Sequence, residues 1–196
     1  GLIVNNAQVN RVAKRLIAQV PHYRADAANW NWEVNTIRDN EINAFCLSGG
    51  KIGVLTGSIT KINATDDELA ALIGHEIAHA LRDHGREKVS KKLVTGLGVL
   101  AASSAGLGDM VVSGTSLLGD YGVNLPGSRK LESEADLLGV DIMVRAGYNP
   151  QGAISFWNKV VAQEKQGTKI DFLSTHPTSE KRIVAIQDYI NQTYRK

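Results

Sequence analysis

"TDDELAALIGHEIAHALRDHG", residues 65–85, joins a helix start, a core helix and a metal-ligand spacing in one run. Thr65 followed three residues later by Glu68 is a capping box, so a helix is expected to start near residue 66. His75 and His79 stand four apart on it, with Glu76 beside the first. At about 100° per residue the two imidazoles are about 40° apart and one turn removed, so both reach one metal ion, and Glu76 lies beside it. The alternative is a core helix whose histidines are satisfied by hydrogen bonds, and the bare motif leaves it open. The helix is expected to run to about Gly85, or further through the charged residues 86–92.

A zinc ion that keeps a reactive fourth position needs a third protein ligand. His84 does not qualify, because it lies about 180° around the helix from His75 and about 140° from His79. It reads as a surface or helix-end histidine. The helix expected over "SRKLESEADLLGVDIMVRAG" (128–147) offers a carboxylate instead. With Leu131 at 0°, Glu134, Asp141 and Arg145 fall at about 280–320°, a charged stripe with an Asp–Arg pair at i,i+4 that faces solvent. Glu132, Asp136, Gly139 and Met143 fall at about 80–140°, flanked by apolar residues. Unpaired buried carboxylates are costly, and zinc plus a histidine N–H would satisfy both. Glu132 fits the third ligand and Asp136 the acceptor that orients a ligating histidine. Gly139 permits close helix approach.

Outward from these helices, residues 5–19 show helical spacing that stops at Pro21, and "WNWEVNTI" (30–37) alternates as a strand. "NAFCLSGGKIGVLTGSI" (43–59) reads as two strands broken at Ser48-Gly49-Gly50. Helices are expected over 150–164 and 179–193. The result is an α+β class: one domain over residues 1–196, mainly helical, with a small antiparallel sheet before the motif helix. With 196 residues and 43% hydrophobic side chains, the chain is long enough for a sizeable core. A net charge of +2 without a basic block gives nucleic-acid binding no support. The single cysteine, Cys46, rules out an internal disulfide and reads as a small buried hydrophobe. The uncharged run Leu93–Gly108 is rich in Gly and Ser and shorter than the roughly 20 apolar residues of a membrane span. Residues 93–125 read better as short buried helices or a glycine-rich mobile cover. The chain starts at Gly1 with no signal-peptide pattern, which reads as a trimmed product whose targeting segment is missing.

"HEIAH" (75–79) followed by "SRKLESEAD" (128–136), with "NAFCLSGGKIGVLTGSI" before and "THPTSEKRI" (175–183) after, resembles the zinc metallopeptidase family that includes HtpX, the CAAX prenyl endopeptidases and Oma1. The resemblance covers about residues 30–190 and is nearest to the soluble Oma1-like bacterial branch. Ser48 departs from the proline that many relatives carry there, which loosens the loop prediction only. The resemblance implies a gluzincin fold with one zinc ion held by His75, His79 and Glu132, and Glu76 as catalytic base. It also implies polypeptide substrates, unfolded or misassembled, in a bacterial cell envelope, periplasmic and with membrane association through a missing N-terminal segment.

The mechanism expected from these parts needs a donor for the tetrahedral oxyanion. His176, in the turn before the last helix, is expected to supply it or to be a fourth, inhibitory ligand; the catalytic role is slightly preferred. Tyr121 is an exploratory second donor. An extended substrate backbone is held by strand addition. The expected edge is "KIGVLTG" (51–57), with Gly53 and Val54 at the cleft and Asn43 and Ala44 contributing backbone groups. Arg182 is grouped with these substrate-binding residues, although it can equally anchor the His176 loop on Asp136 or Glu132, or lie on the surface; Arg129 is similarly open. The competing function is a zinc-stabilised chaperone-like or binding module without hydrolysis, in which Glu76 has no task.

Overall fold

The structure, a computed structural model, describes residues 2–47, 49–82, 128–168, 170 and 172–194. His84, Tyr121, the glycine-rich stretch 93–125 and any continuation of the motif helix past residue 82 lie outside the described residues.

The motif helix is α3, Asp66–Leu81. It starts where the capping box requires: Thr65 Oγ1 accepts from Glu68 N at 3.1 Å, and Glu68 Oε1 accepts from Thr65 N at 2.9 Å. Asp66, Asp67 and Glu68 fill the first turn, where negative charge suits the helix dipole. Every residue from Glu68 to Leu81 is buried, as expected of a helix packed on all sides at the centre of a fold. At its far end Arg24 Nη1 donates to Leu81 O at 3.0 Å.

Three longer helices and one sheet enclose α3. Helix α1, Ala7–Ile17, packs Val9, Val12, Ala13 and Leu16 inward and is capped by the Asn6 side chain. Helix α2 is the single turn Gly57–Thr60. Helix α4, Ser128–Arg145, makes the most extensive contact with α3, and α5, Gln151–Lys165, covers the same helix. The short α6, Phe172–Thr175, leads to α7, Glu180–Thr193, which lies against α4 and α5. Among the described residues no helix is long and apolar enough to cross a membrane.

The strands are β1 (Ile3–Val4), β2 (Glu33–Ile37), β3 (Ala44–Leu47) and β4 (Lys51–Leu55), ordered β1-β2-β4-β3. β3 and β4 form the expected hairpin, with Gly49 and Gly50 both at φ +91°, where a side chain is strained. The α+β class therefore holds, but the sheet is mixed: β4 runs parallel to β2, Val34 opposite Ile52 and Thr36 opposite Val54. The hairpin has swung so that its second strand, not its first, meets β2. That corrects one expectation directly. "KIGVLTG" supplies no edge, because β4 has a partner on each side, and among the described residues β3 is the outer strand on that side of the sheet.

The residues placed at that edge are corrected with it. The space over Gly53 belongs to its cross-strand partner Phe45, whose ring atoms lie 2.2 Å from where a Cβ would stand. Val54 is fully buried in the core. Asn43 N donates to Ser58 Oγ at 2.8 Å, Asn43 O accepts from Ser58 Oγ and from Leu55 N, and its side chain accepts from Ala44 N. Asn43 builds the strand start and has no backbone group to lend to a substrate.

Candidate metal centre

The full burial of α3 turns both histidines into the protein, where they meet side chains from two other segments. His75 Nε2 and His79 Nε2 are 3.1 Å apart. Glu132, from the first turns of α4, places Oε2 at 2.7 Å from His79 Nε2 and Oε1 at 3.3 Å from His75 Nε2. His176, from the turn between α6 and α7, places Nδ1 at 3.4 Å from His75 Nε2 and 2.7 Å from Glu132 Oε1. One ligand atom from each of the four lies within 4.8 Å of all the others, and all four residues are buried.

This donor set suits a small divalent ion. A tetrahedral ion with bonds of about 2.0–2.1 Å holds its ligands about 3.3–3.4 Å apart; His75 Nε2 lies 3.1 Å from His79 Nε2 and 3.4 Å from His176 Nδ1, while Glu132 stands closer, at 2.7 Å from His79 and His176. Three imidazoles and a carboxylate are also zinc's ordinary ligand chemistry. His75 Nδ1 lies 3.2 Å from Asp136 Oδ1, so a proton held there leaves the Nε2 lone pair facing the cluster.

Glu76 is buried beside the cluster, with Oε1 3.1 Å from His176 Nε2. Burial would raise its pKa, but the charge and hydrogen bond of His176 outweigh that and hold it below the usual carboxylate value. Burial lowers the basicity of each imidazole, yet His75, facing Glu132 and Asp136, is pushed up to about 9. His79 is left at about 4 by burial and by the charge of His75, although Glu132 opposes the shift. Glu132 is lowered despite its burial, with His176 and His75 as the chief causes.

Arg182, in the first turn of α7, carries the outer layer. It donates from Nε to Asp136 Oδ2 at 2.6 Å, from Nη2 to Asp136 Oδ1 at 2.8 Å and to Glu132 Oε1 at 3.2 Å, and from Nη1 to Pro177 O. Its guanidinium also lies over the Trp157 ring, 4.5 Å from the centroid. Of the options open from the sequence, these contacts are those of the loop anchor and carboxylate partner. Arg129 is exposed.

The helix-face assignment on α4 also holds for its carboxylates. Glu132 and Asp136 are 3% and 5% exposed, whereas Glu134 reaches outward to Arg82 at 3.5 Å. The outward stripe itself is only partly open: Asp141 accepts from the hydroxyls of Tyr189 in α7 and of Tyr194 just past its end, and Arg145 lies over the Tyr23 ring. Sequence reasoning missed the aromatic wall. Trp157 meets the His75 ring edge-on at 6.0 Å, and Phe172 lies 4.3 Å from the His176 ring. Trp157 reads in sequence as an ordinary apolar position of the helix expected over 150–164, Phe172 falls between the expected helices, and no local signal ties either to the histidines. Cys46 is buried as expected, and burial together with the charge of Glu76 pushes its thiol well up, which places β3 beside that glutamate.

Comparison with known proteins agrees with this geometry. The family model for peptidase family M48 matches residues 4–190. The mitochondrial metalloendopeptidase OMA1 of Schizosaccharomyces pombe is 37% identical over 190 residues, covering 96% of this chain and 54% of the relative. Metalloprotease LoiP of Escherichia coli is 32% identical over 160 residues, covering 81% of this chain and 62% of the relative. The beta-barrel assembly-enhancing protease of Escherichia coli is 27% identical over 194 residues, covering 94% of this chain and 38% of the relative. The chain thus spans about half the length of the first two and less of the third. With nearly its whole length matched by one family model and a buried His/Glu cluster at the family's kind of centre, the chain belongs to peptidase family M48.

Proposed function

We propose that this chain is a zinc-dependent endopeptidase domain in which His75, His79 and Glu132 hold the ion and Glu76 is the general base. The observation that carries the reading is Glu76 itself: a buried carboxylate beside the four-donor cluster but outside it. A structural zinc site closes with four protein ligands and has no use for a fifth group poised for proton transfer. When bound, the ion supplies Lewis acidity toward water and the scissile carbonyl. Glu76 accepts the proton of the attacking water and returns it to the leaving amine. Asp136 holds the His75 ring, and Arg182 holds Asp136 and Glu132 in turn.

His176 decides whether this arrangement is open or closed. Its Nδ1 lies within the donor set and its Nε2 faces Glu76. That position favours the fourth, inhibitory ligand over the oxyanion donor that the turn alone suggests. With an ion bound, His176 would fill the position that water needs, and its Nε2 already contacts Glu76, so turnover would require it to swing out.

The outer edge of β3, whose four residues are buried in this state, is the edge proposed to take the substrate strand. Leu55 N donates to Asn43 O, which makes that pair hydrogen-bonded; alternation then directs the Ala44 and Cys46 main-chain groups away from β4. Of the expected cleft residues, Ala44 remains through its carbonyl, since its N–H donates to Asn43 Oδ1. Unfolded or misassembled polypeptides in a bacterial cell envelope are the proposed substrates and compartment. The resemblance supports this, as does one relative's name, which refers to β-barrel assembly. The test is metal analysis alongside casein cleavage with and without chelator, on the wild type and on Glu76→Gln. The expected result is a zinc-loaded Glu76→Gln protein with activity down by roughly 100-fold or more. Near-normal cleavage by that variant would sink the proposal and return the cluster to a structural role.

A further inference from the structure

The ligand set is divided between helices, with His75 and His79 on α3 and Glu132 on α4. The separation of these helices therefore fixes how far the carboxylate stands from the imidazoles. Where they cross, Gly74 and Gly139 face one another. A Cβ on Gly139 would lie 3.0 Å from both the N and the Cα of His75 and 3.2 Å from Gly74 C. A Cβ on Gly74 would meet Gly139 O at 3.1 Å, with nothing else closer than 3.8 Å. Neither glycine has a positive φ, so neither is required by its torsion angles. In a helix interior glycine is otherwise a poor choice, and close approach is what explains it.

We infer that Gly139 is a positioning residue whose missing side chain sets the α3–α4 separation and, through it, the size of ion that the His75–His79–Glu132–His176 cluster accepts. This rests on the reading of that cluster as a metal centre. The contact at Gly139 is with backbone: the N and Cα of the residue whose ring is a ligand. Because α3 is buried on every side, it cannot step aside. A methyl group at 139 moves α4 outward by a few tenths of an ångström. Asp136 and Glu132 lie on the same face of α4, about one and two turns away, and move with it. Metal sites tolerate only about 0.2 Å in their ligand distances.

The experiment is competitive titration of metal-free protein with Zn²⁺ and with the larger Cd²⁺, with the thermal midpoint measured on the same samples. In Gly139→Ala zinc affinity is expected to fall roughly 10–100-fold, the range for groups that orient ligands. Cadmium, with its longer bonds, loses less, so the zinc-to-cadmium preference drops by about tenfold, because geometry sets such selectivity. Gly74→Ala moves the ratio the same way by less, having one close contact in place of three. Val12→Ala, in the α1 core, lowers the midpoint and leaves the ratio unchanged. A folded Gly139→Ala protein with the wild-type ratio overturns the inference, as does equal loss for both ions in step with the midpoint. If Gly139→Ala does not fold, Gly74→Ala decides by the same ratio. A wild-type protein that binds neither ion fails the metal-centre reading instead, which separates the two failures.

Discussion

Glu68 and Glu132 are almost equally buried, at 2% and 3% exposed, and the fold deals with them by opposite means. Glu68 is met by the groups of an ordinary helix start. Its carboxylate accepts from Thr65 N three residues away and from Lys159 Nζ at 2.7 Å, and Lys159 is part-exposed. Glu132 lies among three imidazoles and a guanidinium, and the imidazole nitrogens converge on a single point in place of pairing off with separate acceptors. Burial alone therefore does not mark the functional carboxylate. The distinguishing feature is that one ligand atom from each of four buried residues lies within 4.8 Å of all the others, a convergence that a bound cation would satisfy.

The largest expected effect separates these two residues directly. Glu132→Ala should lose most of its bound metal, whereas Glu68→Gln and the outward Glu134→Ala should keep wild-type stoichiometry, as measured by elemental analysis of purified protein. Full metal in Glu132→Ala, or loss in Glu68→Gln, would reverse the comparison.

His176→Ala sharpens it next. With the fourth donor removed and Glu76 released, casein cleavage should rise several-fold while zinc is retained. A fall in rate by a factor equivalent to about 2–4 kcal/mol would assign His176 to the oxyanion instead. An unchanged rate would remove it from both roles.

Asp136→Asn keeps the shape of the side chain and removes its charge. Zinc affinity should weaken by roughly 10–100-fold, because the His75 ring loses its anchor and Arg182 its partner. A dye-competition titration with a wild-type result would show that Arg182 and Trp157 hold the ring without it.

The smallest effects belong to Glu68. Thr65→Ala removes one half of the capping box and should cost about 1 kcal/mol in urea unfolding, with metal content unchanged. Burial would raise the pKa of Glu68, but the Lys159 and Thr65 hydrogen bonds outweigh it and lower the folded value below the ordinary 4.5. Its contribution to stability is therefore complete above about pH 4.5 and is lost as pH falls through the folded value. Glu68→Gln should flatten that acid slope, and an unaltered slope would show that the Lys159 contact contributes nothing.

Legibility in the sequence followed the range of the interactions. The capping box, the His75–His79 spacing and the inward carboxylate face of α4 all depend on neighbours within one or two turns, and each lies where its periodicity places it. The β3–β4 hairpin is local in the same way, closed by two glycines at positive φ. The order of strands is not local. Whether β3 or β4 pairs with β2 depends on which face of the hairpin meets α3, and Gly53, which reads as an opening for substrate, is filled by Phe45 from across the strand pair.

Helix periodicity and the chemistry of His, Glu and Asp were sufficient to place His75, Glu76, His79, Glu132 and Asp136 on inward faces, because a helix fixes the direction of each side chain from its position alone. His176 and Arg182 lie on a turn and the start of a helix whose directions have no such rule. Only tertiary structure decided that Arg182 reaches Asp136 and Glu132, that His176 enters the donor set, and that Trp157 and Phe172 wall it in. Those contacts join segments tens of residues apart, and their geometry is set by how closely the helices pack around α3.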